Sequence, residues 1–139
     1  MASQTKVYLC GPINGCTDEE CNDWRTTAKV FYPNAIDPMV RDYRGREQEC
    51  YKEIVELDKD DILTSDALLV NYDKPSVGTS MEVFFAWEIL CKPTVVMCKS
   101  GTSISPWLRY HSDAIVHSLA DAVANIDRLV QQRKICDNE

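Results

Sequence analysis

Glu82 stands in the stretch of this chain best suited to chemistry. Pro75-Ser76-Val77-Gly78-Thr79-Ser80-Met81-Glu82 follows an apolar run, Asp66 to Asn71, that reads as a strand, and precedes Val83 to Leu90, which reads as an apolar helix. A strand, a Pro/Ser/Gly turn and a helix opening at Thr79 or Ser80 make a small-ligand cradle. Gly78 lets a ligand approach the backbone closely, and the first helical N–H groups have no partner within the helix. On this reading Glu82 lies in the first helical turn. There it has two roles open to it: closing a Ser/Thr-x-x-Glu capping box, or acting on whatever the cradle holds.

The elements needed to position this cradle follow from periodicity. Lys6 to Cys10 is a short apolar run and a first strand, followed by the loop Gly11-Pro12-Ile13-Asn14-Gly15. Thr17, with Glu20 three residues on, forms a capping box for a helix that buries Trp24, Ala28 and Phe31 and ends before Pro33. Ala35-Ile36-Asp37 is a short second strand stopped by Pro38, and Arg41-Asp42-Tyr43-Arg44-Gly45-Arg46 is a loop with three arginines. Glu47 to Thr64 is helical, Asp66 to Asn71 the third strand, Thr79 to Cys91 a helix and Pro93 to Cys98 a fourth strand apolar enough to be buried on both faces. Lys99 to His111 is a loop with a short helix, Ala114 to Val116 a fifth strand, and Leu119 to about Arg133 a last amphipathic helix, leaving a mobile tail from about Ile135.

Five strands alternating with helices in 139 residues predict one α/β domain. The expected fold is flavodoxin-like (Rossmann-like): a five-stranded parallel sheet in the order 2-1-3-4-5, with helices on both faces. In such sheets ligands bind beyond the carboxyl ends of the strands, near the switch between strands 1 and 3. The glycine loop, the Pro75–Glu82 cradle, the Ser100–His111 loop and the arginine loop all meet there. A site so composed suits a small polar or anionic molecule.

At this point the chain resembles the nucleoside 2-deoxyribosyltransferase family, including the related deoxynucleoside 5′-monophosphate N-glycosidases. The matching residues are Val7-Tyr8-Leu9-Cys10-Gly11-Pro12-Ile13-Asn14-Gly15, Asp58 before Asp60-Asp61-Ile62, Ser65 to Val70, Lys74 to Glu82, and Ser105-Pro106-Trp107-Leu108-Arg109. Gly-x-x-x-Glu is weak alone; with the first-strand motif and an aspartate 24 residues upstream of the glutamate it is fairly specific. The resemblance implies chemistry at the N-glycosidic bond between a base and a (deoxy)ribose. A glutamate at the position of Glu82 attacks the anomeric carbon and forms a glycosyl-enzyme. A tyrosine at the position of Tyr8 orients it. An aspartate at the position of Asp58 protonates the departing base, which calls for a raised pKa.

The resemblance also frames the choice between nucleoside and nucleotide. In the base-exchanging branch an acidic residue commonly lies six positions before the nucleophile; here Ser76 stands there. A hydroxyl donates to a phosphate where a carboxylate repels it. Ser105 matches a serine that, in the monophosphate hydrolases, reaches the phosphate from the neighbouring subunit. Pro12 and Asn14 depart from the serine and arginine that those hydrolases carry in the first loop, and Arg44, Arg46 or Arg109 is left to replace the charge. The residues expected at the substrate are therefore Gly11, Ile13, Asn14, Ser76, Gly78 and Ser105, with those three arginines. The reading favours cleavage of nucleoside 5′-monophosphates, with base exchange on free deoxynucleosides as the alternative. A nucleotide-binding module without catalysis is a third reading, disfavoured because Tyr8, Asp58 and Glu82 are all present. A flavodoxin-type electron carrier needs hydroxyl residues in the loop after the first strand, and Gly11 to Gly15 has none.

Composition narrows the partners. A net charge of -7 argues against duplex nucleic acid, which needs a basic surface, so no polynucleotide partner is expected. Seven cysteines, an odd number without a C-x-x-C pair, and two histidines without zinc-ligand spacing point to a reducing cytoplasm, no structural metal and no cofactor. The first residues lack the apolar stretch of a signal peptide, and no apolar run approaches a membrane-spanning length. Family sites are completed by a neighbouring subunit, so a homodimer or larger homo-oligomer is expected. Phe84, Phe85, Trp87, Ile89 and Leu90, apolar on more than one face of their helix, fit that expectation.

Overall fold

Strand β1 (Val7–Cys10) lies wholly buried beside β2 (Ala67–Asn71), and the structure, a computed structural model, describes residues 3–137. The sheet continues through β3 (Thr94–Met97) and β4 (Ala114–Val116), all parallel, in the order β1-β2-β3-β4. Parallel strands buried on both faces need continuous apolar runs, and Leu68-Leu69-Val70 and Val95-Val96 supply them.

Successive strand residues face opposite sides, and this alternation sorts the core. Tyr8, Cys10, Leu68, Val70 and Val96 pack with Ile62 of α2 (Tyr51–Thr64), Val83 of α3 (Val77–Phe84) and Leu108 of α4 (Pro106–Tyr110). Val7, Leu9, Ala67, Leu69 and Val95 pack with Ala28 of α1 (Asp18–Phe31) and with Ala122, Ile126 and Val130 of α5 (Leu119–Asp137). Helices therefore cover both faces, as the alternation of elements predicts.

The sheet has four strands where five are expected. Ile36 makes one parallel bridge to Tyr8, with Ile36 N–H donating to Val7 O at 2.8 Å and Leu9 N–H to Ile36 O at 3.0 Å. The pairing stops because Pro38 cannot donate to a ladder and opens a 3₁₀ turn, Pro38–Val40, which Asp37 caps by accepting from Met39 N–H at 2.8 Å. The bridge occupies the place of strand 2, so the spatial order of the flavodoxin-like expectation holds with that strand reduced to one residue.

Three helix boundaries also differ. Helix α2 begins at Tyr51, with residues 47–50 forming a turn before it where helix is expected from Glu47. The last helix continues past Arg133 to Asp137, through the start of the tail expected from Ile135; residues 138–139 lie outside the described residues. Helix α3 begins at Val77 and passes into a π turn, Phe85–Ile89, in which Leu90 N–H reaches back to Phe85 O at 3.1 Å. Cys91, at φ 53°, takes the left-handed position that ends the segment.

Buried Arg25 ties the start of the site to the sheet. Its guanidinium donates to Cys21 O at 2.7 Å, to Leu9 O at 3.2 Å and to Gly11 O at 3.2 Å, and Asp37 lies 3.7 Å away. Gly11 has to be glycine for a packing reason, because a Cβ there would meet the Trp24 ring at 2.8 Å.

Candidate active site

The alternation along β1 turns both Tyr8 and Cys10 toward α2 and α3. Helix α3 stands on the sheet through buried Thr79 and Val83, four residues apart and so on one helical face. Glu82, half-buried beside that face, looks back at the end of β1. Its Oε2 accepts from the Cys10 thiol at 3.0 Å, and the Tyr8 phenol and the Asp58 carboxyl of α2 lie within hydrogen-bonding reach of the same carboxyl. Tyr8, Asp58 and Glu82, far apart in sequence, thus form one cluster.

The capping role for Glu82 falls away. Ser76 is the N-cap, its hydroxyl accepting from Thr79 N–H at 3.2 Å, and the helix starts before the expected Thr79 or Ser80. Glu82 therefore sits past the first turn, where it satisfies no orphan backbone group.

The cluster has an unusual charge state. Burial and then the charge of Asp58 push the Glu82 carboxyl up to about 8; the Cys10 and Tyr8 hydrogen bonds oppose them. Burial raises Asp58 as well, against the pull of Glu82 and of Arg41. Two carboxyl groups in a dry setting cannot both ionise cheaply, which favours one proton held between them. Tyr8, raised well above its usual range by burial and by Glu82, stays protonated as a donor.

Above the pair opens a cleft of about 480 Å³. It is lined by Gly11, Ile13, Asn14, Arg44, Asp58, Ser76, Gly78 and Glu82, all of them expected from sequence, with Tyr8 buried beneath. The Val77 and Gly78 amides open α3 at its wall, where helix geometry leaves them without intrahelical partners. Three expected residues lie elsewhere. Ser105 caps α4 and lines a separate apolar hollow beyond the Pro75–Val77 ridge. Arg46 is exposed with its guanidinium over the Tyr43 ring at 5.4 Å, and Arg109 is in the last turn of α4; neither lines the cleft.

Sequence reasoning passed over three participants. Arg41 lines the cleft and donates to Asp61 at 2.6 Å and to Asp58 at 3.3 Å. Lys74, also in the wall, pairs with Glu20, the residue that closes the capping box of α1. The third is Cys10, for which a usable signal existed: it stands two residues after Tyr8 in a strand and so must share its face. No sequence signal picks Arg41 out of the loop it shares with Arg44 and Arg46.

No protein-family model and no curated protein matches this chain. A solved structure does. A 2-deoxyribosyltransferase from Bacillus psychrosaccharolyticus shares its fold. The two structures agree with a TM-score of 0.66 at 17% identity, over 85% of this chain and 90% of that one. Among the described residues no group of three or more His, Cys, Asp or Glu is placed to hold a metal, and no helix is long and apolar enough to cross a membrane.

Proposed function

We propose that this protein is an enzyme that cleaves the N-glycosidic bond of (deoxy)nucleoside 5′-monophosphates. The observation that carries the reading is the pair of carboxyl groups, Asp58 and Glu82, lining one cleft, with the Cys10 thiol donating to Glu82 at 3.0 Å and Tyr8 buried beneath. Glu82, ionised, attacks the anomeric carbon as the bond to the base breaks. Asp58 gives the shared proton to the departing base and then takes one from the water that hydrolyses the glycosyl-enzyme. Burial raises both carboxyl groups, and attack requires the form in which Glu82 is ionised and Asp58 carries the proton. A second base in place of water gives base exchange by the same steps, as the name of the structural neighbour, a 2-deoxyribosyltransferase, suggests.

The phosphate reading rests on the wall opposite the carboxyl pair. Ser76 keeps its hydroxyl proton free while its oxygen caps α3, and the Val77 and Gly78 amides add a favourable helix terminus for an anion. One observation favours the second reading, base exchange on a free nucleoside. Each arginine and lysine lining the cleft already has carboxylate partners: Arg41 has Asp58 and Asp61, Arg44 has Asp18 and Asp42, and Lys74 has Glu20.

Product identification from a panel of (deoxy)nucleosides and their 5′-monophosphates, with and without a second base, separates the two. The wild type should release base faster from the monophosphate, and added salt should weaken that preference. Ser76→Asp keeps a good N-cap but sets a charge about 4 Å from the phosphate, worth about 4 kcal/mol or less at an effective dielectric near 20, hence at most roughly a thousandfold. It should lose the monophosphate and keep the nucleoside. A wild type faster on nucleosides sinks the phosphate reading and leaves base exchange.

The same reading takes the working form to be a homodimer or larger homo-oligomer. Val77, Met81, Trp107 and Tyr110 leave a large apolar face exposed along α3 and α4. Ser105 stands on that face, outside its own cleft, where a second copy would carry it toward the other site. Light scattering should give a multiple of 15.8 kDa, and Met81→Glu should lower both mass and turnover. A fully active single chain would exclude the shared site. Seven unpaired thiols suit a cytoplasmic location.

A further inference from the structure

We propose that Cys10 is a positioning residue for the nucleophile, its thiol holding the Glu82 carboxyl in one orientation and stabilising it when ionised. The inference rests on the reading of Glu82 as the nucleophile and adds to it a role for a residue that does not meet the substrate.

The geometry leaves the thiol proton one good acceptor. Sγ lies 3.0 Å from Glu82 Oε2, while the other candidate, Thr79 O, is 4.0 Å away. Cys10 is fully buried and does not line the cleft, so it stands behind the carboxyl as seen from the substrate. Strand β1 holds it rigidly: Cys10 is in register with Val70 of β2, and the Arg25 guanidinium grips the carbonyls of Leu9 and Gly11 on either side. Burial, then the charge of Glu82, keeps the thiol protonated well above its usual range, so it acts as a donor and not as a thiolate.

The groups facing Glu82 explain why this donor matters. From β1 come Tyr8 and Cys10, and from α2 comes Asp58, itself held by Arg41, which also binds Asp61. Arg25 of α1 lies close enough to act on Cys10 and Tyr8. Burial and then Asp58 favour the proton on Glu82, whereas Cys10 and Tyr8 favour its loss. Removing the thiol proton donor therefore tilts the shared proton toward Glu82 and makes the attacking form rarer. A thiol is also a weak donor, so it orients the carboxylate while leaving its electron pair more available than a hydroxyl would.

The test compares Cys10→Val, which fills the space with hydrocarbon and loses the donor, with Cys10→Ser, which keeps a donor. In the free protein the Glu82 carboxyl is titrated by ¹³C NMR; kcat, KM and the pH profile are measured alongside. In Cys10→Val the Glu82 midpoint should rise by about one pH unit and kcat at neutral pH should fall about tenfold. KM should stay within about twofold, because the residue lies behind the cleft. The basic limb of the profile should move up with the midpoint. Cys10→Ser should titrate at or below the wild-type midpoint. A side chain that only fills space would change thermal stability and leave the midpoint alone, so an unmoved midpoint in Cys10→Val overturns the proposal. A shifted midpoint in a protein that cleaves no N-glycosidic bond would confirm the hold on Glu82 and count against the function instead.

Discussion

Glu82→Ala should lower glycosidic cleavage on the order of 10⁴-fold, because in the proposed mechanism it removes the atom that bonds to the sugar; at 1.36 kcal/mol per tenfold this is about 5 kcal/mol of barrier. The chain should stay folded. Glu82 caps nothing in α3, and the helix is held by Ser76 and by buried Thr79 and Val83. Glu82→Gln is the sharper variant, since it keeps the shape and loses only the charge, so ligand binding should survive without turnover. Stability adds a second readout. The carboxyl sits near 4.5 in an unfolded chain and near 8 in the folded one. Its contribution is fully present below the lower value and is lost as pH rises through the upper one. Wild type should therefore become less stable from pH 4.5 to 8, and Glu82→Gln should lose less over that window. Near wild-type turnover in either variant would show that the nucleophile has been misassigned.

Asp58→Asn should act through pH and leaving group. Wild-type kcat/KM should fall as pH rises through the loss of the pair's proton, near 8, since the proposed mechanism then lacks the acid that protonates the base. Replacing Asp58 removes the main charge that holds Glu82 up, so Glu82 should ionise at lower pH in the variant. Loss of a general acid costs about 10² to 10⁴-fold with a natural base. An activated nitrophenyl-type leaving group needs no proton and should lose far less. Equal losses for the two substrates would mean that Asp58 only positions its neighbours.

Much of this was open to reading before any fold was known, because the signals are local. The Thr17–Glu20 capping box forms as the spacing requires, with bonds of 3.0 and 3.1 Å. The apolar runs of β1, β2 and β3 become buried parallel strands, and the helical repeats settle on the two faces. Topology then brings Gly11, Asp58, Ser76 and Glu82 to one cleft, since the loops after β1 and β2 open at the carboxyl end of the sheet and α2 and α3 pack beside each other on one face.

What the sequence could not decide were competitions between near neighbours and charges from distant segments. Ala35-Ile36-Asp37 has the residues of a strand, but Pro38 and the Asp37 cap turn the chain after a single bridge. Thr79 has the residue type of a helix start, but Ser76 captures its N–H, and that one bond moves Glu82 out of the capping position. The arginine loop reads as free positive charge. In the fold Arg44 meets Asp18, and Arg41 meets Asp58 and Asp61, partners supplied by α1 and α2. Sequence by itself determined the periods and the order of the elements, because each is set by residue type or local spacing, and it put forward Tyr8, Asp58 and Glu82 as candidates. Tertiary structure alone decided which charges pair, which thiol reaches Glu82 and which carboxyl groups meet in one cleft, because those depend on distances between residues far apart in the chain.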